Sequence, residues 1–226
     1  MDSSVGGKTA VDLPVGKNLV GAFWQPSLVI IDPDTLDTLP EKFFRDGLGE
    51  VVKYGCIRSL SLFERLEQND VRSMIDEVIS ECVTIKRDVV QRDERDTGER
   101  AILNFGHTLG HALEKLHGYI GLTHGEAVAA GAAILTGISE KRGLTEKGTS
   151  ERLNALLRKY GLPCTSELAL PEIVAATRGD KKSIGNGISF VFLDKIGSCF
   201  IKKIETSDMP EFFGIKEPLN KSRPTD

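Results

Sequence analysis

Residues Glu126 to Arg142, EAVAAGAAILTGISEKR, are small and apolar on nearly every side until the closing charges. A surface helix carries one apolar stripe, whereas a helix apolar all round is buried among other helices. The stretch therefore predicts the centre of a helical bundle. Working outward, Glu41 to Gln68, after Pro40, read as two helices. Asp70 is placed to cap a long helix whose apolar stripe is Val71, Met74, Ile75, Val78, Cys82, Ile85 and Val89, with Lys86 at its border. On the C-terminal side, Glu151 to Tyr160 carries Leu153, Leu156 and Leu157 and stops at Gly161, with Pro163 just beyond. GISFVFL (Gly187 to Leu193) and SCFIKKI (Ser198 to Ile204) flank a DKIG turn and read as a β-hairpin. The first forty residues are glycine-rich and then extended, and the run SLVIID ending at Asp32 predicts a buried strand. The fold class expected is mainly α, with a small hairpin and a strand-containing N-terminal segment. The polar tail from Lys216 reads as frayed.

The composition is that of a globular protein: 226 residues, 40% hydrophobic and 27% charged. A net charge of -4 argues against a general nucleic-acid binder. Cys56, Cys82, Cys164 and Cys199 lie far apart with no CxxC pair, which suggests neither a zinc ribbon nor a disulfide framework and fits a reducing cytoplasm. There is no signal-peptide pattern and no apolar run approaching a membrane span.

Three segments hold one well-placed carboxylate and all four histidines: GLGEVVKYG (Gly47 to Gly55), NFGHTLGHALEKLHG (Asn104 to Gly118) and THGEAVAAG (Thr123 to Gly131). His107 and His111 are four apart on a helical pattern, so both leave one face, which suits a metal, an anion or simply a surface pair. Glu50 and His124, each beside a glycine, would complete a three-ligand site with an open position for substrate. Val51, Val52 and Tyr54 imply that Glu50 and Lys53 are partly buried, and a half-buried carboxylate needs a partner. Arg100, Asn104, His107 and His111 recur at intervals of four, three and four. If a helix already runs through Arg100 they share one face; a wet helix face is the alternative. His117, before Gly118 at a helix end, reads as a dipole partner rather than a ligand.

VGGKTA fails as a phosphate-binding loop, because the first glycine of that pattern would fall at Asp2 and no strand precedes it. What remains is Lys8 and Lys17, each presented by a glycine turn, and Lys181 and Lys182 ahead of SIGNG. With Lys53, Lys86 and Arg100 they suggest an acidic chain that gathers positive groups around a small, multiply anionic ligand.

DSSVGGKTAVDLPVGKNLVGAFWQP (Asp2 to Pro26), GLGEVVKYG, RDERDTGERAILNFGHTLGHALE (Arg92 to Glu114) and THGEAVAAG closely resemble the 3-dehydroquinate synthase family, over a span from Asp2 to about Ile201. The resemblance implies conversion of 3-deoxy-D-arabino-heptulosonate 7-phosphate (DAHP) to 3-dehydroquinate and phosphate in the shikimate pathway. NAD would be used catalytically, with zinc or cobalt as the metal. By the same likeness Glu50, His107 and His124 are the metal ligands. Lys8, Asn18, Lys53, Lys86, Arg100, Asn104 and His111 line the substrate pocket, and Lys181 or Lys182 reaches it. Asp2, Lys17 and Thr38 contact NAD. His111 thereby moves from ligand to proton handling.

The family carries an N-terminal α/β domain, so the resemblance implies that residues 1–39 are a remnant of the NAD-binding domain, 40–215 the helical metal and substrate domain, and 216–226 a tail. The expectation is that this chain alone binds metal but turns over little or no DAHP, that a partner is an N-terminal NAD-binding domain, and that the enzyme is a cytoplasmic homodimer. A 2-deoxy-scyllo-inosose synthase type of cyclase is the nearest rival, with a metal-dependent polyol dehydrogenase and a catalytically inactive fragment behind it.

Overall fold

The computed structural model describes residues 2–13, 16–177 and 186–216, without the side chains of residues 12 and 16–19. Two regions differ sharply. Residues 2–39 contain strands β1 (Lys8–Leu13) and β2 (Gly16–Phe23), paired antiparallel, then an extended stretch and a 3-10 turn at Pro33–Thr38. The rest is helical: α1 (Glu41–Arg58), α2 (Leu60–Gln68), α3 (Ile75–Arg92), α4 (His107–Leu116), α5 (His124–Lys141), α6 (Thr149–Lys159), α7 (Leu170–Thr177) and the short α8 (Met209–Phe212). Between α7 and α8 runs a second antiparallel hairpin, β3 (Gly187–Lys195) and β4 (Ser198–Glu205), in the register Gly187 opposite Glu205.

Helix α5 is central, as its composition predicts. Ala129, Ala132 and Ala133 pack into one core with Tyr54, Phe63, Cys82, Phe105 and Leu156, while Ala127, Ala130 and Leu135 pack into another with Leu109, Leu113, Phe190 and Phe213. Strand β3 is shared in the same way. Side chains alternate across a strand, so Val191 and Leu193 enter the first core and Phe190 and Phe192 the second.

Small residues let the central helices approach. A side chain on Gly131 would strike the carbonyl of Gly106 and, at 2.7 Å, the backbone nitrogen of Gly110, which sets α4 directly against α5. A side chain on Gly49 would meet the Gly125 carbonyl at 2.6 Å, so α1 and the start of α5 touch backbone to backbone. Glu50 and His124 are the next residues along.

Three expectations change. SLVIID is not a strand: residues 27–32 pair with no strand among the described residues, and Leu28 and Ile30 are 76% and 83% exposed. Strand propensity without a neighbouring edge leaves the backbone unpaired. The helix does not run from Arg100 to His111. Glu99–Asn104 is a 3-10 turn, and Gly106 at φ 78° breaks the chain before α4 begins at His107. Asp70 caps a 3-10 turn, Val71–Met74, by accepting the Arg72 N–H at 3.1 Å, and α3 starts only at Ile75.

Candidate metal and substrate site

Each element delivers one donor. Glu50 comes from the middle of α1, held against α5 by the glycine contact and by Asp46, whose carboxylate accepts the Gly125 N–H at 2.5 Å. His124 opens α5, where Thr123 and Glu126 form a capping box: Glu126 accepts the Thr123 N–H at 2.8 Å and the Thr123 hydroxyl accepts the Glu126 N–H at 3.4 Å. His107 opens α4 immediately after the Gly106 break.

The three converge. His107 Nε2 lies 3.4 Å and His124 Nε2 3.6 Å from the same oxygen, Glu50 Oε1. One donor atom from each residue falls within 4.8 Å of the others. The second nitrogen of each ring is already engaged. His107 Nδ1 donates to the Phe105 carbonyl at 3.1 Å, and His124 Nδ1 faces the Glu114 carboxylate at 3.4 Å. Engagement of Nδ1 leaves the Nε2 lone pair for a metal.

The central oxygen decides whether a cation fits. Glu50 Oε1 is shut away from solvent and makes no hydrogen bond of good geometry, an expensive condition for a carboxylate oxygen unless an ion completes it. Burial alone would raise the Glu50 pKa; Lys53, His107 and His124 outweigh it and hold the carboxyl well below its usual range. Burial drives the His107 pKa down to about 3, so that imidazole is neutral, as a ligand must be. His124 moves the other way, to about 9, because Glu114 first and Glu50 second favour its cation. At neutral pH that cation stands between the two carboxylates, and a divalent ion would take the place of its Nε2 proton.

Of the expected cations, Lys53 stands directly beside the site. Lys53 is buried, 5% exposed, and pairs with Glu50. Lys86 on α3 donates to the Asp2 carbonyl at 2.6 Å and lies 3.3 Å from the Asp2 carboxylate, which also accepts from the Tyr54 hydroxyl. Burial lowers the Lys86 pKa. Arg100, 3% exposed, donates to the Gly6 carbonyl at 2.7 Å and the Glu94 carbonyl at 2.5 Å. Lys8 pairs with Asp96, which sits at φ 60° in the loop before Arg100. That loop is shaped by Asp93, whose carboxylate accepts the N–H groups of Thr97 at 3.0 Å, Gly98 at 2.7 Å and Arg100 at 2.9 Å. The chain start thus runs past α3 and this loop and ties the cations to the helical body.

His111 belongs to the cluster, its ring 5.6 Å from His107 and 6.0 Å from His124. Asn104 lies on the 3-10 turn and donates to the Ala101 carbonyl at 3.1 Å. Thr38 donates to the Thr35 carbonyl at 3.2 Å, and Asp2 is committed to Lys86 and Tyr54, so the hydrogen bonds of these two lead to different places. Lys17 and Asn18 lie on β2 with side chains outside the description, and Lys181 and Lys182 lie outside the described residues altogether. A cavity of about 690 Å³ exists elsewhere, lined by Phe44, Arg45, Leu48, Arg72, Lys159 and Tyr160 among others, and contains none of the predicted site residues.

Several contributors escaped the sequence reading. Glu114, Asp96, Tyr54 and Asp46 serve as partners of the predicted residues rather than as metal ligands. Glu114 had a signal, lying three residues after His111 and seven after His107 on one helix face. The capping box at Thr123 and Glu126 was legible too.

A family profile described as 3-dehydroquinate synthase C-terminal matches residues 47–183, and one described as 3-dehydroquinate synthase N-terminal matches residues 1–46. The chain belongs to the 3-dehydroquinate synthase family. A 3-dehydroquinate synthase of Clostridium perfringens (strain SM101 / Type A) is 52% identical over 206 residues, 89% of this chain and 59% of that protein. The chain thus spans about 60% of the length of the curated relatives it matches. Among solved structures, 2-epi-5-epi-valiolone synthase from Streptomyces hygroscopicus subsp. jinggangensis 5008, with NAD+ and Zn2+ bound, superposes with a TM-score of 0.81 at 25% identity, covering 95% of this chain and 62% of that one. A 2-deoxy-scyllo-inosose synthase complexed with carbaglucose-6-phosphate, NAD+ and Co2+ gives 0.75 at 24% identity, covering 94% and 63%. The helical body therefore has the fold of the corresponding part of these enzymes. No described helix is long and apolar enough to cross a membrane.

Proposed function

We propose that this chain supplies the metal- and substrate-binding part of a 3-dehydroquinate synthase, acting on DAHP with catalytic NAD. The observation that carries the reading is the meeting of His107 Nε2 and His124 Nε2 on the buried, unsatisfied Glu50 Oε1. A divalent ion held there, zinc or cobalt, would act as a Lewis acid toward a substrate hydroxyl.

The protein's own groups do the rest. Lys53 keeps Glu50 ionised. Lys86 and Arg100, with Lys8, Asn18 and Asn104 and one of Lys181 and Lys182, bind and orient the carboxylate and phosphate of the substrate; a guanidinium suits either anion as a two-pronged partner. His111, beside both ligand histidines, exchanges a proton with a substrate hydroxyl oxygen. Identity of 52% to a 3-dehydroquinate synthase, against 24 to 25% to the two other cyclases, supports DAHP over a sugar phosphate lacking a carboxylate.

Residues 1–39 form the edge of the NAD-binding part, 40–215 the metal and substrate domain and 216–226 a tail. Asp2, Lys17 and Thr38 contact NAD by family likeness. The exposed Trp24, Leu28 and Ile30, at 77%, 76% and 83%, support cover by the portion of the relatives that this chain does not span. The complete enzyme is a cytoplasmic homodimer on this reading.

Complementation tests it. A dehydroquinate-synthase-deficient strain should grow without aromatic supplements when the chain is supplied together with the N-terminal portion of a relative. The reading fails if the purified pair converts glucose 6-phosphate but leaves DAHP untouched.

A further inference from the structure

Glu114 has no place in the ligand set or among the substrate groups, yet it is a buried carboxylate, 6% exposed, in the middle of the site. Its Oε2 lies 3.4 Å from His124 Nδ1, on the opposite side of the ring from Glu50. His124 is therefore held between two carboxylates, one at each nitrogen. Its side chain is otherwise open, 44% exposed, and only its backbone is fixed by the capping box. His107 solves the same problem differently, with the Phe105 carbonyl at its Nδ1 and a side chain only 13% exposed.

A second grouping competes for the same imidazole. Donor atoms of His111, Glu114 and His124 also fall within 4.8 Å of one another. Which nitrogen of His124 takes the ion separates the two arrangements. The Glu50 side offers a buried oxygen without a hydrogen bond and a second imidazole already turned Nε2-inward; on the other side, Glu114 Oε2 already faces Nδ1.

We propose that Glu114 is a positioning residue, its carboxylate accepting the Nδ1 proton of His124 and so fixing the tautomer and ring orientation that aim Nε2 at the point shared with Glu50 and His107. The inference rests on the metal-site reading above. Partners of this kind raise the basicity of a ligand histidine, and their loss typically weakens metal binding by about 10- to 100-fold.

Cobalt(II) titration of the full chain, followed by its visible absorption, provides the test. Wild type should bind one ion. Glu114→Ala should bind it about 10- to 100-fold more weakly, and Glu114→Gln, which keeps an acceptor but no charge, should fall between. Wild-type affinity in Glu114→Ala with the helical circular dichroism retained overturns the proposal and leaves the metal site standing. Two ions in wild type, one of them lost in Glu114→Ala, would make Glu114 a ligand and also overturn it. No cobalt bound by wild type sinks the metal-site reading itself. A measurement on zinc-loaded wild type bypasses any folding defect: nitrogen NMR should show His124 metallated at Nε2 and protonated at Nδ1, and metallation at Nδ1 contradicts the proposal.

Discussion

The two hairpins have the same architecture and opposite fates. In β3–β4, Phe190 and Phe192 are fully buried on one face and Val191 and Leu193 on the other, because α4, α5 and α7 and the first core close over both sides. In β1–β2, Val11 and Val20 are each 58% exposed, and Phe23 and Trp24 beyond them 50% and 77%. An isolated two-stranded hairpin is marginal in water, and its stability comes from what it packs against. The second hairpin therefore belongs to a finished core, whereas the first is anchored mainly through the site, by Gly6 to Arg100, Asp2 to Lys86 and Lys8 to Asp96. Metal-site integrity and NAD chemistry should separate experimentally along that line.

The largest contrast is in activity. The chain alone should retain metal but give no detectable 3-dehydroquinate from DAHP, and adding the N-terminal portion of a relative should restore turnover; turnover by the chain alone near that of a complete relative would erase the distinction between the regions. In stability, Phe190→Ala should cost about 3–5 kcal/mol in urea unfolding. Val20→Thr on the open hairpin should stay within about 0.5 kcal/mol. Equal losses would mean that β1–β2 is packed as tightly as β3–β4.

Gly131→Ala probes the link between packing and chemistry. Its methyl would press on Gly106, overpacking that costs about 1–3 kcal/mol, and the shift of α4 should weaken cobalt binding as His107 moves off Glu50. Unchanged affinity would show that the helix approach does not set the ligand geometry.

The loop before Arg100 gives a pH signature. N–H groups of Thr97, Arg100 and Gly98 hold the Asp93 pKa down to about 2. A depressed carboxylate contributes stability that is present above its unfolded pKa of about 4 and lost as pH falls toward the folded value. The difference in stability between wild type and Asp93→Asn should therefore be constant at neutral pH and shrink below about pH 4; a difference that grows on acidification has the wrong sign for this account. The smallest effect is optical. Trp24 is the chain's one tryptophan, so its emission should be that of a solvated indole, open to acrylamide quenching, and should shift to the blue when the N-terminal portion is added.

Much of this was readable in the residues. The all-round apolar stretch of α5, the Leu153, Leu156 and Leu157 stripe and the paired runs around DKIG each carry their periodicity locally, and each became the element expected. His107 and His111 share a face because four residues make about one turn. Other features were not local. The break at Gly106 looks like one more helical residue until α5 is in place, where a side chain would lie 2.5 Å from the Val128 carbonyl. Leu28 to Ile31 have strand propensity, but a strand needs an edge to pair with. Glu114 reads as an ordinary helix glutamate until His124 is folded back beside it. Propensity is written in a segment; partnership is written in two.

Metal content tests the central claim most directly. Purified chain, Glu50→Gln and His111→Ala should each be dialysed with zinc or cobalt and their bound metal counted per folded chain. The account predicts one equivalent for wild type, near zero for Glu50→Gln and close to one for His111→Ala. A full equivalent retained by Glu50→Gln, or equal loss in both variants, would contradict it.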